Sequence, residues 1–160
     1  MKKPNHAGMG VSVAFIGTMA LSLAGSTDAL GPAWAQALGK QQKIRISGGG
    51  QVFNATLADN ETARDFASLL PLTLTMSDLF GREKTAQLPR AISTAGPRSH
   101  IYEVGDVILW SPRPSVAIFY RHDGQTIPSP GSILIAKADA GVEALNVPGS
   151  VNVTIDRVEE

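Results

Sequence analysis

Residues 102–120, YEVGDVILWSPRPSVAIFY, decide the fold, because they hold two apolar runs separated by a turn that proline makes unavoidable. Val107, Ile108, Leu109 and Trp110 run without a polar break, and residues 116–120 (VAIFY) form a second run. Both are rich in the β-branched and aromatic side chains that fit a pleated surface. Between them lie Ser111, Pro112, Arg113 and Pro114. The two prolines fix φ and remove two backbone donors, so neither a helix nor a ladder continues through them. The chain must reverse there. Gly105 and Asp106 upstream, with Gly124, Pro128 and Pro130 downstream, are turn formers. The stretch therefore reads as a hairpin inside an antiparallel sheet.

Working outward, Lys43, Ile44, Arg45 and Ile46 alternate polar and apolar, as a half-buried strand does. Ser47 and Gly48, Gly49 and Gly50 turn the chain, and Phe53, Ala55 and Leu57 resume the alternation, so the first two strands are expected to pair. The glycines do not read as a phosphate cradle, since no Gly-Lys-Ser/Thr follows and no helix opens after them. Residues 59–70 are the main predicted helix. Asp59 or Asn60 caps it, Glu61 sits in the first turn where the helix dipole favours a carboxylate, and Ala63, Phe66, Ala67 and Leu70 share a face. Pro71 ends it.

After that proline the period becomes two, with Leu72, Leu74 and Met76 alternating with Thr73, Thr75 and Ser77. Residues 81–87 read as a charged turn, 88–92 as a short edge strand and 95–99 as a loop. Residues 133–136 read as a buried strand, 139–145 as a short second helix capped by Asp139, and Val151, Val153 and Ile155 as the last strand. Seven or eight short strands with one main helix make a mainly β domain. Their spacing predicts a closed or nearly closed β-barrel capped by the helix.

A chain of 160 residues with 43% apolar content supports one such core. The barrel is expected over residues 43–158. Lys2 and Lys3, an uncharged stretch over residues 7–25, and small residues at Ala33 and Ala35 read as a secretory signal peptide over 1–35, with 36–42 as a short linker. The expected location is the periplasm or outside the cell, and the membrane is met only through the signal segment before cleavage. Removing Lys2, Lys3 and Asp28 from 14 basic and 14 acidic residues leaves 12 and 13. With dispersed lysines and arginines and no basic stripe, a nucleic-acid partner is not expected. The chain has no cysteine, which excludes disulfides, thiolate nucleophiles and cysteine-ligated zinc.

The order of motifs in residues 59–90 (DNETARDFASLLPLTLTMSDLFGREKTAQLPR), followed by residues 102–120 and a terminal strand, resembles the bacterial cyclophilin-like fold proteins. The resemblance spans about residues 43–158 and implies a small cyclophilin-like β-barrel with one main helix and a short second one. Cyclophilins proper are peptidyl-prolyl isomerases that set an arginine beside a phenylalanine-lined pocket; the cation weakens amide resonance while the pocket holds the twisted proline. By that resemblance Arg90, between Leu88-Pro89 and Ala91-Ile92, is the candidate catalytic residue of an incomplete isomerase site. Arg90, Trp110, Arg113, Phe119 and Tyr120 form the candidate binding set for a peptide or small organic ligand at a barrel mouth.

No metal or cofactor is expected. His100 and His122 have no partner at metal-binding spacing, and both read as solvated loop residues. Ser111, His122 and Asp106 lack the pattern of a nucleophile elbow. Glu83 beside Lys84 reads as solvated charge. The first expectation is therefore a binding or structural module of the cell envelope, and the second a residual prolyl isomerase.

Overall fold

The structure is a computed structural model that describes residues 41–158. The expected signal segment and most of the expected linker lie outside the described residues. The elements in chain order are β1 (Lys43–Gly48), β2 (Gln51–Leu57), α1 (Glu61–Ala67), β3 (Leu72–Leu79), β4 (Glu83–Gln87), β5 (Arg98–Ser99), β6 (Asp106–Trp110), β7 (Ser115–Phe119), β8 (Ser132–Ala138), a 3-10 turn (Val142–Leu145) and β9 (Val151–Arg157).

Eight strands form the closed antiparallel barrel β2-β1-β9-β3-β4-β7-β6-β8, and β2 pairs back onto β8 through Ala55↔Ala138, Thr56↔Lys137 and Leu57↔Ala136. Closure removes the free edges that so many short strands would otherwise expose. The two-residue β5 lies beside β8 next to the end of β2, pairing Arg98 with Ile133. The 102–120 stretch forms the expected hairpin, with Val107 opposite Ile118 and Trp110 opposite Ser115.

Alternation sorts each strand into an inner and an outer face. Ile44 and Ile46, Phe53 and Ala55, Met76, Val107 and Leu109, Val116 and Ile118, and Val153 and Ile155 fill the interior. Helix α1 plugs one end with Ala63 and Phe66, both fully buried. Of the two expected caps Asn60 is the one used. Its Oδ1 accepts from Ala63 N at 2.8 Å, while its Nδ2 donates to Leu134 O at 2.9 Å, tying the helix start to β8. The helix is shorter than predicted and ends at Ala67. Ser68, Leu69 and Leu70 each donate a backbone bond three residues back, tightening the last turn before Pro71, which disfavours helical backbone at Leu70.

Three other expectations are corrected. Residues 83–87 are a barrel strand, not a charged turn, because EKTAQ carries polar residues on both faces and hides its period-two pattern. The 88–92 segment is not a strand: its backbone is irregular, held by Leu88 N donating to Pro114 O and by the buried side chains of Leu88 and Ile92. The predicted second helix is a single 3-10 turn preceded by Gly141 at φ +92, and Asp139 pairs with Lys43 at 2.7 Å instead of capping it.

Replacing Phe66 with Ala removes the largest side chain of the helical plug and should cost about 3–5 kcal/mol. Val52→Ala, at an exposed strand position, should stay within about 0.5 kcal/mol. Urea unfolding monitored by far-ultraviolet circular dichroism measures both.

Candidate functional site

The β7–β6 part of the wall is apolar on both sides. Outside the barrel, Ile108, Ala117, Phe119, Tyr102 and Ile127 form a second buried cluster, with Trp110 and Leu134 packed against it. Tyr102 stacks on Phe119 at 3.9 Å between ring centroids, and His122 stacks on Tyr102 at 4.6 Å. His100 Nδ1 lies 2.8 Å from Ile127 O. The two histidines thus fasten loops over the wall. Ser111 accepts from Arg98 Nη1 at 2.9 Å, His122 Nδ1 from Gly124 N and Asp106 from Lys137 Nζ and Glu103 N, so the three are bonded elsewhere and not to one another.

This outer cluster floors one part of an open groove of about 730 Å³. β3 contributes Thr75, Ser77 and Leu79, and β4 contributes Glu83, Thr85 and Gln87. β7 contributes Ser115, Ala117 and Phe119, β6 contributes Ile108 and Trp110, and loops supply Phe80, Pro112, Arg113, Ile127 and Pro128. Most strand positions are the outward ones of each alternation. The groove therefore lies on the outside of the closed wall and not at a barrel mouth.

One end is ionic. Arg82 and Glu83 have side chains only 8% and 7% exposed. Arg82 Nε donates to Glu83 Oε1 at 3.4 Å, and Nη1 donates to both carboxylate oxygens of Asp123 at 3.3 and 3.2 Å. The guanidinium carbon stands 5.2 Å from the Phe80 ring centroid, 5.2 Å from that of Tyr102 and 5.8 Å from that of Phe119, a set of cation–π contacts. Burial pushes the Glu83 carboxyl up, against the pull of Arg82. The Tyr102 hydroxyl donates to Asp123 at 2.6 Å; that bond, with the Gln125 amide and Arg82, holds Asp123 down at about 2.

On the inner face of the same strand, Lys84 is fully buried. Its ammonium donates to Asp78 Oδ1 at 3.1 Å, Val147 O at 2.6 Å and Gly149 O at 2.8 Å. The expectation that Glu83 and Lys84 are solvated charges is overturned, since a barrel wall sends neighbouring residues to opposite buried sides. Tyr120 also faces inward, continuing the Val116–Ile118 alternation, and its hydroxyl donates to Asp78. Burial and that bond push it up to about 12.

Of the five residues singled out from sequence, Trp110, Arg113 and Phe119 come together in the groove. Tyr120 is inside the barrel instead of at a rim. Arg90 lies outside the groove, where its Nη2 donates to Asp65 Oδ1 at 2.7 Å and Ser68 Oγ at 2.8 Å and so braces the end of α1. Arg82, Glu83 and Phe80 were missed, because residues 80–87 carry no apolar alternation that would mark a strand and its outer face.

A small closed antiparallel barrel with an apolar groove outside its wall is the class that fold and site define. The chain belongs to the cyclophilin-like family, whose model matches residues 46–156. It is similar in fold to a solution structure of a hypothetical protein from Archaeoglobus fulgidus, with TM-score 0.59 and 21% identity over 74% of this chain and 95% of that one. None of the curated proteins matches the chain.

Asp123 sets an acid dependence. Its carboxyl titrates at about 2 in the fold against an ordinary 3.8. Its stabilising contribution is thus complete above the ordinary value and is lost as pH falls from about 4 to about 2. Asp123→Asn should flatten the loss of stability over that interval in urea midpoints measured against pH, and parallel curves would contradict the assignment.

Proposed function

We propose that this protein is an exported binding module of the cell envelope whose outer groove takes a peptide or small organic ligand. The observation that carries it is the groove itself. An apolar floor of Ile108, Trp110 and Phe119 ends at a buried arginine–carboxylate cluster, the combination of apolar surface with few placed polar groups that ligand sites use. Thr85 lies on β4 with its side chain in the groove and away from the core. Thr85→Trp should fill the groove and weaken a ligand found by peptide screening by at least roughly tenfold, about 1.4 kcal/mol, with the unfolding midpoint little changed. Undiminished binding to that variant counts against the groove.

A second function is favoured by one observation: Arg82 stands over Phe119 inside the groove, the arginine-with-phenylalanine pairing expected of a prolyl isomerase. If the protein isomerises prolyl bonds, a protease-coupled assay should show acceleration lost in Arg82→Ala and kept in Arg90→Ala. No acceleration at high protein concentration leaves binding alone.

Export rests on Lys2, Lys3, the uncharged 7–25 stretch and Ala33-Trp34-Ala35. Mass spectrometry of the protein recovered from the envelope should find Gln36 at its N-terminus. A form retaining Met1 in that fraction would contradict cleavage.

A further inference from the structure

Two buried polar groups in the groove have bonding capacity that the protein does not use. Arg82 spends Nε on Glu83 and Nη1 on Asp123, and among the described residues its Nη2 has no acceptor. Glu83 accepts through Oε1 from Arg82, and among the described residues its Oε2 has no donor. Neither atom is sealed, because no described side-chain nitrogen or oxygen is both buried and without a partner. Both residues line the groove, and both side chains are more than nine-tenths buried. A free donor and a free acceptor thus belong to neighbouring residues of the groove lining whose side chains are largely desolvated, which strengthens hydrogen bonds to charged groups.

One extended peptide residue offers the complement, because its own N–H and C=O lie on the same edge of the chain, whereas those of a single trans amide point opposite ways. Its carbonyl accepts from Arg82 Nη2 and its N–H donates to Glu83 Oε2. A carboxylate would meet Arg82 but face Glu83 with like charge, and an ammonium would do the reverse.

The dimensions and the remaining walls select a polypeptide over an isolated amide. β4 lines the groove from Glu83 to Gln87, a run of about 13 Å at strand rise, which holds about four extended residues. Trp110 and Phe119 offer surface for apolar side chains along it. Phe80 sits at the rim above the pair. It is 70% exposed, with φ +56 and its ring 5.2 Å from the Arg82 guanidinium carbon, and a non-glycine residue in left-handed backbone is a strain that tends to collect at ligand clamps.

We propose that the groove binds an extended peptide segment by reading the main-chain N–H and C=O of one residue with Glu83 and Arg82, under Phe80. The inference rests on the groove being a ligand site and names what it recognises. It also sets a specificity: proline has no backbone N–H, so proline is disfavoured at the residue that is read.

The test is a backbone N-methyl scan. The blocked tetrapeptide acetyl-Ala-Phe-Leu-Ala-amide and its four singly N-methylated analogues are titrated into the isotopically labelled mature protein and followed by amide chemical shifts. The parent should move the resonances of Ser77, Thr85, Gln87 and Trp110. One methylated analogue should bind at least roughly tenfold more weakly, the loss of one hydrogen bond to a charged group, while the other three stay close to the parent. In Glu83→Met, whose Arg82 keeps Asp123 as partner, that selective loss should disappear. Five peptides binding alike in the groove would overturn the amide assignment and leave the groove as a ligand site. A parent peptide that leaves the groove resonances unmoved would overturn the groove as a peptide site, and the amide assignment with it.

Discussion

A buried ammonium fixes the geometry of this domain. Lys84 places its charged group inside one end of the barrel, where three acceptors, Asp78 Oδ1 and the carbonyls of Val147 and Gly149, match its three N–H donors. A buried cation short of partners is strongly destabilising, so this arrangement tolerates little displacement. It also pins the register of β4. A slip of one residue would reverse every side chain of the strand, carrying Lys84 out and Glu83 in.

The groove follows from that register. With Lys84 inward, Glu83, Thr85 and Gln87 face outward beside Ser115, Ala117 and Phe119 of β7. The same Asp78 that holds Lys84 also accepts from Tyr120 and from the backbone N–H of Gly81, so the anchor shapes the Phe80–Gly81 turn above Arg82. Core and candidate site therefore share one wall. Its inner face carries stability, and its outer face is built from aromatic surface and two carboxylate-linked cationic contacts that the interior does not need.

Much of the fold was legible because apolar periodicity is unambiguous where one face is buried. The 102–120 hairpin, the paired first strands, the helix that follows Asn60 and the last strand all follow from that signal, and closure follows from their number. β4 was not legible, since EKTAQ pairs a buried cation inside with a buried carboxylate outside and shows no hydrophobic period. The site was half legible for the same reason. Trp110, Arg113 and Phe119 lie on the readable hairpin, whereas Arg82 and Glu83 lie at the unreadable strand. Tyr120 was assigned to a rim because sequence polarity changes at Arg121, but alternation from Val116 carries it inward. Arg90 drew attention through neighbouring apolar residues that anchor a loop; its own partner, Asp65, lies 25 residues away on the helix, beyond the reach of local pattern.

The central claim is that β4 runs through the barrel wall with Lys84 inside and Glu83 in the groove. Amine-reactive labelling of the folded protein, read residue by residue by mass spectrometry, tests it directly. Lys43 and Lys137, about half exposed, should react readily while Lys84 stays protected until the protein unfolds. Labelling of Lys84 at the rate of the other two would show that the strand does not sit in the wall as described.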